Sequence, residues 1–392
     1  MASFEVVVVG GGVIGSSIAY HLARQGRQVL VVERSEPAVE PAASWASAGG
    51  VRRQGRHPAE ARLAIEAIER WRSLEAELEA DLHYRRDGNL KLAEGEAEAE
   101  QIAQFVRRQQ VNGFADVRLV DRKEALEIAP GLNERITAGS YSPSDGHANP
   151  PLTTRAFAAA AARHGATYWN GTATLALLRR GERVIGLRME RGEVAAEAVV
   201  LAAGAWSDEL AAGVSLRLPI RTGVLQMLLS TPARPGMLRP VIGALSRKLS
   251  LKQLPSGEFF LGGGWPGDAA PDRRSYTMRP ASIEGGWAAA VGLLPAVGQQ
   301  SIARQWCGLE AISVDEIPFI GGVPGLEGLT LAVGFSGHGF AISPAVGRAV
   351  ADQLAGRPSP ELDGLSPGRI AGFDPAQVDR FLAGEAPSLA AG

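Results

Sequence analysis

The chain begins with a strand, Glu5 to Val9, that runs directly into Gly10-Gly-Gly-Val-Ile-Gly15. A helical pattern follows, and a second strand from Gln28 to Val32 ends on Glu33. This sets G-x-G-x-x-G between a buried strand and a helix, with an acid 18 residues past the last glycine, the context a dinucleotide fingerprint requires. Gly10 lets the strand turn sharply, Gly12 lets backbone approach a pyrophosphate, and Gly15 lets the helix pack close to the strand. Val13 and Ile14 form the first helical turn, whose amides and dipole face the phosphates. Ile14, Ile18 and Leu22 recur at helical spacing and seat that helix on a sheet. Glu33, with Arg34 beside it, stands where a ribose needs an acceptor, and a carboxylate there disfavours the 2′-phosphate of NADP. From these residues alone NAD and FAD both stay open.

Bulk properties remove other classes. A length of 392 residues allows two or three domains with sizeable cores. Forty basic against 42 acidic side chains imply no nucleic-acid or anionic-membrane partner. A single cysteine, Cys307, excludes an internal disulfide, a cysteine-based zinc site and a dithiol centre within the chain. No run is long enough to span a bilayer, and a strand starting at residue 5 leaves no room for a signal peptide, so a cytoplasmic protein is expected.

Along the chain, Pro58 to Leu82 reads as an amphipathic helix and Glu94 to Gln110 as a charged one, with a strand pair between them joined near Asp87-Gly88. Ser142 to Pro151 is a dense turn cluster. The apolar stretch Ala198 to Gly204 suits a central strand. Segments Pro219–Ser230, Val241–Leu254 and Phe259–Gly263 alternate like strands of a second sheet, Ser282–Leu294 is helical, and a last strand, Leu329–Val333, precedes the turn Gly334-Phe-Ser-Gly-His-Gly-Phe340 and a helix from Pro344 to Leu354. The sheet-rich middle is therefore inserted into the nucleotide domain. Gly267-Asp-Ala-Ala270 mimics a ribityl-binding motif but is followed by Pro271 in a loop, and it reads as a surface turn.

Five segments together resemble the FAD-dependent amine oxidoreductases of the D-amino-acid oxidase, glycine oxidase and sarcosine oxidase group. They are Val7–Gly15, Ala43-Ser-Trp-Ala-Ser-Ala-Gly-Gly-Val-Arg52, Val199–Trp206, the span Arg304–Gly321 with Trp306 and Gly308-Leu309, and Gly334–Phe340. The resemblance implies an α/β fold: a Rossmann-like, three-layer FAD domain (residues 1–80, 145–218 and 311–392) and an α+β substrate domain on a mixed or antiparallel sheet (81–144 and 219–310). It implies noncovalent FAD, with Ser44 and the Ala48-Gly49-Gly50 turn beside the pyrophosphate and ring, Ala173 against adenine, and Ala203-Gly204 with Trp206 closing a strand on the nucleotide. Gly334, Gly337, His338, Gly339 and Phe340 would form the turn that steadies negative charge on the reduced flavin.

The same resemblance implies oxidation of an amine alpha to a carboxylate by hydride transfer from Cα–H to flavin N5, giving an imine that water hydrolyses to an oxo acid. Glycine-oxidase-like members carry an arginine where this chain has Glu310, which fits a positively charged or secondary amine better and draws the chain toward the D-hydroxyproline and opine dehydrogenase branch. Arg52 and Arg53 become the leading carboxylate clamps, with Arg56 and His57 within reach, and Trp265 faces either the flavin or a core. Sarcosine oxidases have lysines near the positions of Phe260 and Ala341, so the electron acceptor is open among O2, a quinone and a partner subunit. The expected substrate is a secondary or D-amino acid. The remaining alternatives are an NAD-dependent dehydrogenase and a flavin-binding subunit of a homo- or hetero-oligomer that is inactive alone.

Overall fold

The computed structural model describes residues 2–389. Strand β1 (Ala2–Val9) is fully buried at its end, where Val6, Val7 and Val8 are 0% exposed. It hands the chain to helix α1 (Val13–Arg24) and then to strand β2 (Val29–Val32), which pairs parallel to β1. Beyond β2 lies the parallel strand Thr167–Trp169, and on the other side of β1 lie Gly192–Leu201 and then Leu326–Val333, both parallel. The hairpin formed by Thr174–Arg180 and Arg183–Met189 and the antiparallel edge Phe319–Val323 complete eight strands. Strand order therefore reverses at β1, which makes the carboxyl end of β1 a topological switch point, where open α/β sheets bind ligands.

Both faces of this sheet are covered, which explains its unbroken runs of valine and leucine. On one face, α1 packs against the helix Gly339–Leu354 closely enough that a Cβ at Gly347 would lie 2.1 Å from Ser17 Oγ, and that hydroxyl donates to Ser343 O at 2.8 Å. The helix Gly339–Leu354 begins five residues earlier than the sequence pattern suggests and carries Pro344 inside it. Proline removes the amide that would bond Phe340 O, and the Ser343 hydroxyl donates to that carbonyl instead at 2.9 Å.

The long helix expected from Pro58 is broken: α2 (Ala61–Trp71) stops, and a short turn of helix, Leu74–Leu78, ends at Glu79 with φ +53°. Of the strand pair expected around Asp87-Gly88 only Asn89–Glu94 forms. Arg85 makes a lone bridge to His147, which lies beside Gly50 in the two-residue ribbon Gly50–Val51 with Gly146–His147.

The second sheet also has eight strands, in the order Ile302–Ser313, Ile220–Pro232, Glu258–Gly262, Arg247–Gln253, Val241–Ala244, Asn89–Glu94, Ile136–Ser142, Arg118–Asp121. Every pairing is antiparallel except that of Val241–Ala244 with Asn89–Glu94, so the sheet is mixed. The expected strand 241–254 is a hairpin that turns at Leu245-Ser246. The domain boundary expected after residue 310 falls inside the strand that runs to Ser313. One face of this sheet carries Leu90, Leu92, Ile242, Leu251, Phe259 and Leu261 against the helix Pro280–Leu293. The opposite face looks toward the first sheet and bears the site.

Candidate functional site

A cavity of about 400 Å³ starts at the switch point and runs to the underside of the second sheet. At one end it is lined by Gly10, Gly12, Val13, Ile14, Glu33 and Arg34, and along it by Ser44, Ala173, Ala203, Gly204 and Trp206. At the far end it is lined by Glu310, Phe335, Gly337, Gly339 and Phe340. Sequence segments some 300 residues apart thus form one continuous wall, and the volume is in the range of small-molecule sites.

The glycine cradle has a physical reason at each position. Gly10 has φ +102°, and a Cβ there would sit 2.5 Å from Ala202 O. Gly15 does not line the cavity: a Cβ would lie 1.9 Å from Gly10 O, so its absence lets α1 meet the β1 turn. The first turn of α1 has no acidic side chain and no side-chain cap from Gly12. Ser44 Oγ instead accepts from Val13 N at 2.9 Å, so a loop residue closes over the helix N-terminus. Glu33 Oε2 accepts from Gly11 N at 2.7 Å and Oε1 from Ser35 N at 2.9 Å. Each oxygen keeps a further lone pair for a ribose hydroxyl. Arg34 stacks over Trp206 at 4.0 Å, and Trp206 is fixed by donating Nε1–H to Arg273 O at 3.1 Å. These residues fit a dinucleotide: small, amide-rich and uncharged at the phosphates, acidic at the ribose.

The loop from Ser44 to Gly50 passes between the two sheets. Gly308 has no side chain because a Cβ would lie 2.4 Å from that of Ala46, and Trp306 Nε1 donates to Ala46 O at 3.0 Å. Gly49 has φ +69° and backs onto Ala148 O. Ala48 lies against Gly262, and Gly50 pairs with His147. Ala48, Gly49 and Gly50 therefore shape this loop without lining the cavity, and Gly334, with φ +75° beside Ile220 and Ser313, does the same for the later turn.

The charged candidates separate. Arg53 pairs with Asp116, and neither of the two expected clamps lines this cavity; Arg52 is the one without an ion-pair partner among the described residues. Arg52 donates one N–H to Gln54 O at 3.1 Å, and burial lowers its pKa. Arg56, 4% exposed, donates Nε–H to Arg52 O at 3.0 Å and is pulled down to about 10 by burial and then by Arg52. His57 caps the turn before α2 by accepting from Ala59 N at 3.1 Å. His338 is turned away from the cavity: its Nδ1 lies 3.5 Å from Oε2 of Glu60, long for a hydrogen bond, and neither atom has another partner. Trp265 does not face the cavity either; it donates to Lys248 O at 2.7 Å and covers Gly285 and Gly286 of the helix Pro280–Leu293.

Glu310 is where the cavity ends. Ala311 N donates to its Oε1 at 3.2 Å, and the Gly337 amide also bonds its carboxylate. Burial raises this carboxyl to about 7 against those two amides. Glu310 makes no ion pair with Arg304, which lies over the Trp306 ring at 5.5 Å. Cys307 points away, its Sγ 3.1 Å from Met278 Sδ, and burial pushes its thiol to about 12. Within Gly267–Ala270, Asp268 and Ala269 form an exposed strand paired with Tyr276 and Thr277, while Gly267 is buried against Cys307.

Three contributors escaped the sequence reading. Gln54 ties the Arg52 loop to the second sheet, donating to Asn89 O at 2.8 Å and accepting from Ser140 Oγ at 3.0 Å. Glu60 is 0% exposed below Arg56 and His338. Lys252 is 4% exposed on the site-facing side of the second sheet. In sequence it alternates with Leu249 and Leu251, a pattern that predicts a solvent-facing lysine; the first sheet's loops cover that face.

The chain matches the FAD dependent oxidoreductase (DAO) family over residues 5–353. It is 31% identical to a glycine oxidase of Pseudomonas aeruginosa, covering 91% of this chain and 96% of that protein. It is 27% identical to sarcosine oxidase subunit beta of an Arthrobacter species, over 90% of this chain and 87% of that one. Among solved structures, L-proline dehydrogenase from P. horikoshii superposes with a TM-score of 0.87 at 27% identity, covering 95% and 98% of the two chains. No helix of the described residues is long and apolar enough to cross a membrane.

Proposed function

The chain belongs to the FAD dependent oxidoreductase family, and within it we propose an enzyme that oxidises the C–N bond of an amino acid, with a secondary amine as the preferred class. The cofactor is FAD, which when bound supplies a two-electron acceptor for the hydride leaving Cα–H. Gly10, Gly12 and the first turn of α1 would hold its pyrophosphate, Glu33 its ribose, and Ala173 with Arg34 and Trp206 its adenine. The single observation behind the substrate assignment is that the cavity ends on a buried acid, Glu310; Arg52, just past the Ser44–Gly50 loop, is the carboxylate clamp we assign from sequence.

That pair matches the two groups of an amino acid. Arg52 takes the carboxylate through its planar fork. Glu310 holds the amine through Oε1 and Oε2, and with a carboxyl near 7 it can accept the proton an ammonium must lose before Cα–H departs. Hydride leaves Cα with both electrons and the second proton leaves nitrogen, so the product is an imine; water then gives an oxo acid and the released amine. The Ser44–Gly50 loop and the second sheet exclude water from the reacting carbon. The relatives named for sarcosine and L-proline act on secondary amines by their printed names, which supports that class here. Electrons then pass to O2, a quinone or a partner subunit.

Purified protein should be yellow and should bleach anaerobically with one member of a panel of N-methyl amino acids, imino acids, D-amino acids and opines. Absence of bleaching by every amine would overturn the assignment while leaving FAD binding intact. Turnover of the isolated chain with an artificial acceptor separates a self-sufficient enzyme from a subunit that needs a partner.

A further inference from the structure

The ribbon of Asp268–Ala269 with Tyr276–Thr277 leaves the second sheet after the strand Glu258–Gly262 and returns before the helix Pro280–Leu293. Its tip, Ala270–Ser275, is a tight turn. Arg273 N donates to Ala270 O at 2.9 Å, Ala270 N to Ser275 O at 3.0 Å and Arg274 N to Asp272 Oδ1 at 2.9 Å. Arg273 stands there at φ +52°, a left-handed conformation that a non-glycine residue keeps only when its surroundings hold it.

What holds it is its own side chain, which reaches the wall of the cofactor cavity. Arg273 Nη1 donates to Ala205 O at 2.8 Å, to Asp208 Oδ1 at 2.9 Å and to Thr222 Oγ1 at 3.2 Å, and its Nη2 pairs with Glu209. The Arg273 carbonyl in turn accepts from Trp206 Nε1 at 3.1 Å. The guanidinium is only 17% exposed, so these charge-assisted bonds are partly shielded from water and salt.

A second fastening lies on the other flank of the tip. Tyr276 donates its hydroxyl to Glu40, in the stretch between β2 and Ser44. Trp206, Tyr276 and Met278 also pack on one apolar cluster with Cys307 and Leu309. Trp206, Glu209 and Glu40 all line the cavity, and so does Arg274, the exposed cation between the two fastenings. The tip is thus tied to two separate segments of the cavity wall. It stands at the end bearing Glu33, Arg34 and Trp206, which suits the ribose and adenine, and away from Glu310.

We propose that Ala270–Ser275 is a cofactor latch. Arg273 and Tyr276 bolt the tip across the adenosine end of the cavity, Arg274 closes over the nucleotide bound there, and FAD leaves only when the bolt opens. Arg274 is then a cofactor contact supplied by the second sheet's layer, and Arg273 is the residue that positions it and Trp206. The latch stands on FAD binding alone and is independent of which amine is oxidised.

Two measurements on the holoenzyme test it. The first is tryptic cleavage after Arg273 and Arg274, timed by mass spectrometry against cleavage after Arg191, an exposed arginine in the turn of another hairpin. Excess FAD should slow cleavage at the tip at least tenfold relative to flavin-depleted protein and leave Arg191 unaffected. The second is flavin release after dilution, read from the fluorescence of the freed cofactor. Arg273→Met should speed release at least tenfold and Arg274→Met severalfold. Arg273→Lys, which keeps a charge for Asp208, should fall between Arg273→Met and wild type. The visible spectrum of the flavin still bound should not change, because the tip is at the opposite end of the cavity from Glu310. If Arg273→Met does not fold, Arg274→Met and Glu209→Gln carry the comparison, since both alter exposed side chains. Tip cleavage indifferent to FAD, an equal change at Arg191, or wild-type release from Arg274→Met and Glu209→Gln would each overturn the latch.

Discussion

Glu60 Oε2 stands 3.5 Å from His338 Nδ1, joining the start of α2 to the turn that closes the far end of the cavity. The two pKa directions are instructive. Burial alone would raise Glu60, but His338 and Arg56 outweigh it and hold it low. His338 is itself lowered, by burial first and Arg56 next, more than Glu60 raises it. We read the pair as an ionised Glu60 facing a neutral imidazole across a long contact, with Arg56 carrying the positive charge.

This contact predicts coupling. Glu60→Gln and His338→Asn should each lower the melting temperature and the retention of flavin, and the double variant should lose less than the sum by about 0.5–3 kcal/mol. Since Glu60 is depressed, its contribution is present above the unfolded carboxylate value of about 4.3 and fades as pH falls through the lower folded value. Strict additivity in the cycle would mean the two side chains act separately.

The glycine cradle predicts a graded series. Gly15→Ala drives a methyl into Gly10 O, which has no room to move because Gly10 N is bonded to Val32 O at 2.9 Å. An overpacking cost of about 1–3 kcal/mol is expected, together with loss of bound flavin. Ser44→Ala removes only the bond to Val13 N and should cost about 1 kcal/mol, seen as a severalfold rise in the FAD dissociation constant. An unchanged constant for Ser44→Ala would show that the cap serves the empty helix alone.

Arg52 and Arg53 are adjacent in sequence and predicted to behave oppositely. Arg52→Met should raise KM for the true substrate by tenfold or more, since truncating one partner of a buried charge pair costs about 2–5 kcal/mol, with little change in melting temperature. Arg53→Met strands Asp116 and should lower the melting temperature with KM unaltered. Reversed phenotypes would exchange the two roles.

How much of this was legible in the sequence follows from the range of each interaction. The β1 turn and Glu33 are read from local pattern because a tight turn and a helix N-terminus permit few residue types, whereas Ser44 came only with the family resemblance. The mixed second sheet was legible as alternating segments, but not its order, because pairing Asn89–Glu94 with Val241–Ala244 depends on contacts about 150 residues apart. Lys252 was invisible for the same reason. Period-two alternation separates two faces of a strand without telling which face another domain will cover. The split between Arg52 and Arg53 depends on Asp116, a partner that spacing does not announce.

Cys307 gives a simple check on cofactor attachment. Its thiol is buried beside Met278 and raised to about 12, so it is neither ionised nor aimed at the cavity. Acid precipitation should leave all the flavin in the supernatant, and Cys307→Ala should keep full flavin content. Yellow colour in the pellet would refute noncovalent binding.

Glu310 titrates with opposite consequences for stability and for catalysis. Its folded pKa, about 7, lies above the unfolded value of about 4.3, so its neutral form suits the fold. The sign follows: the stability it contributes is complete below about 4.3 and is lost as pH rises through about 7. Glu310→Gln should therefore stabilise the flavin-free protein above pH 7 by on the order of 2 kcal/mol, reduced from the full shift by the water the cavity admits, and should make no difference near pH 4. The catalytic consequence has the opposite sense. An ammonium is held by the ionised acid, so the rate of flavin reduction at low substrate should fall below pH 7 in wild type. In Glu310→Gln that limb should vanish and KM should rise at every pH. A limb that persists in the variant would assign the titration to another group, and an unchanged KM would leave Glu310 a support for the Gly337 turn.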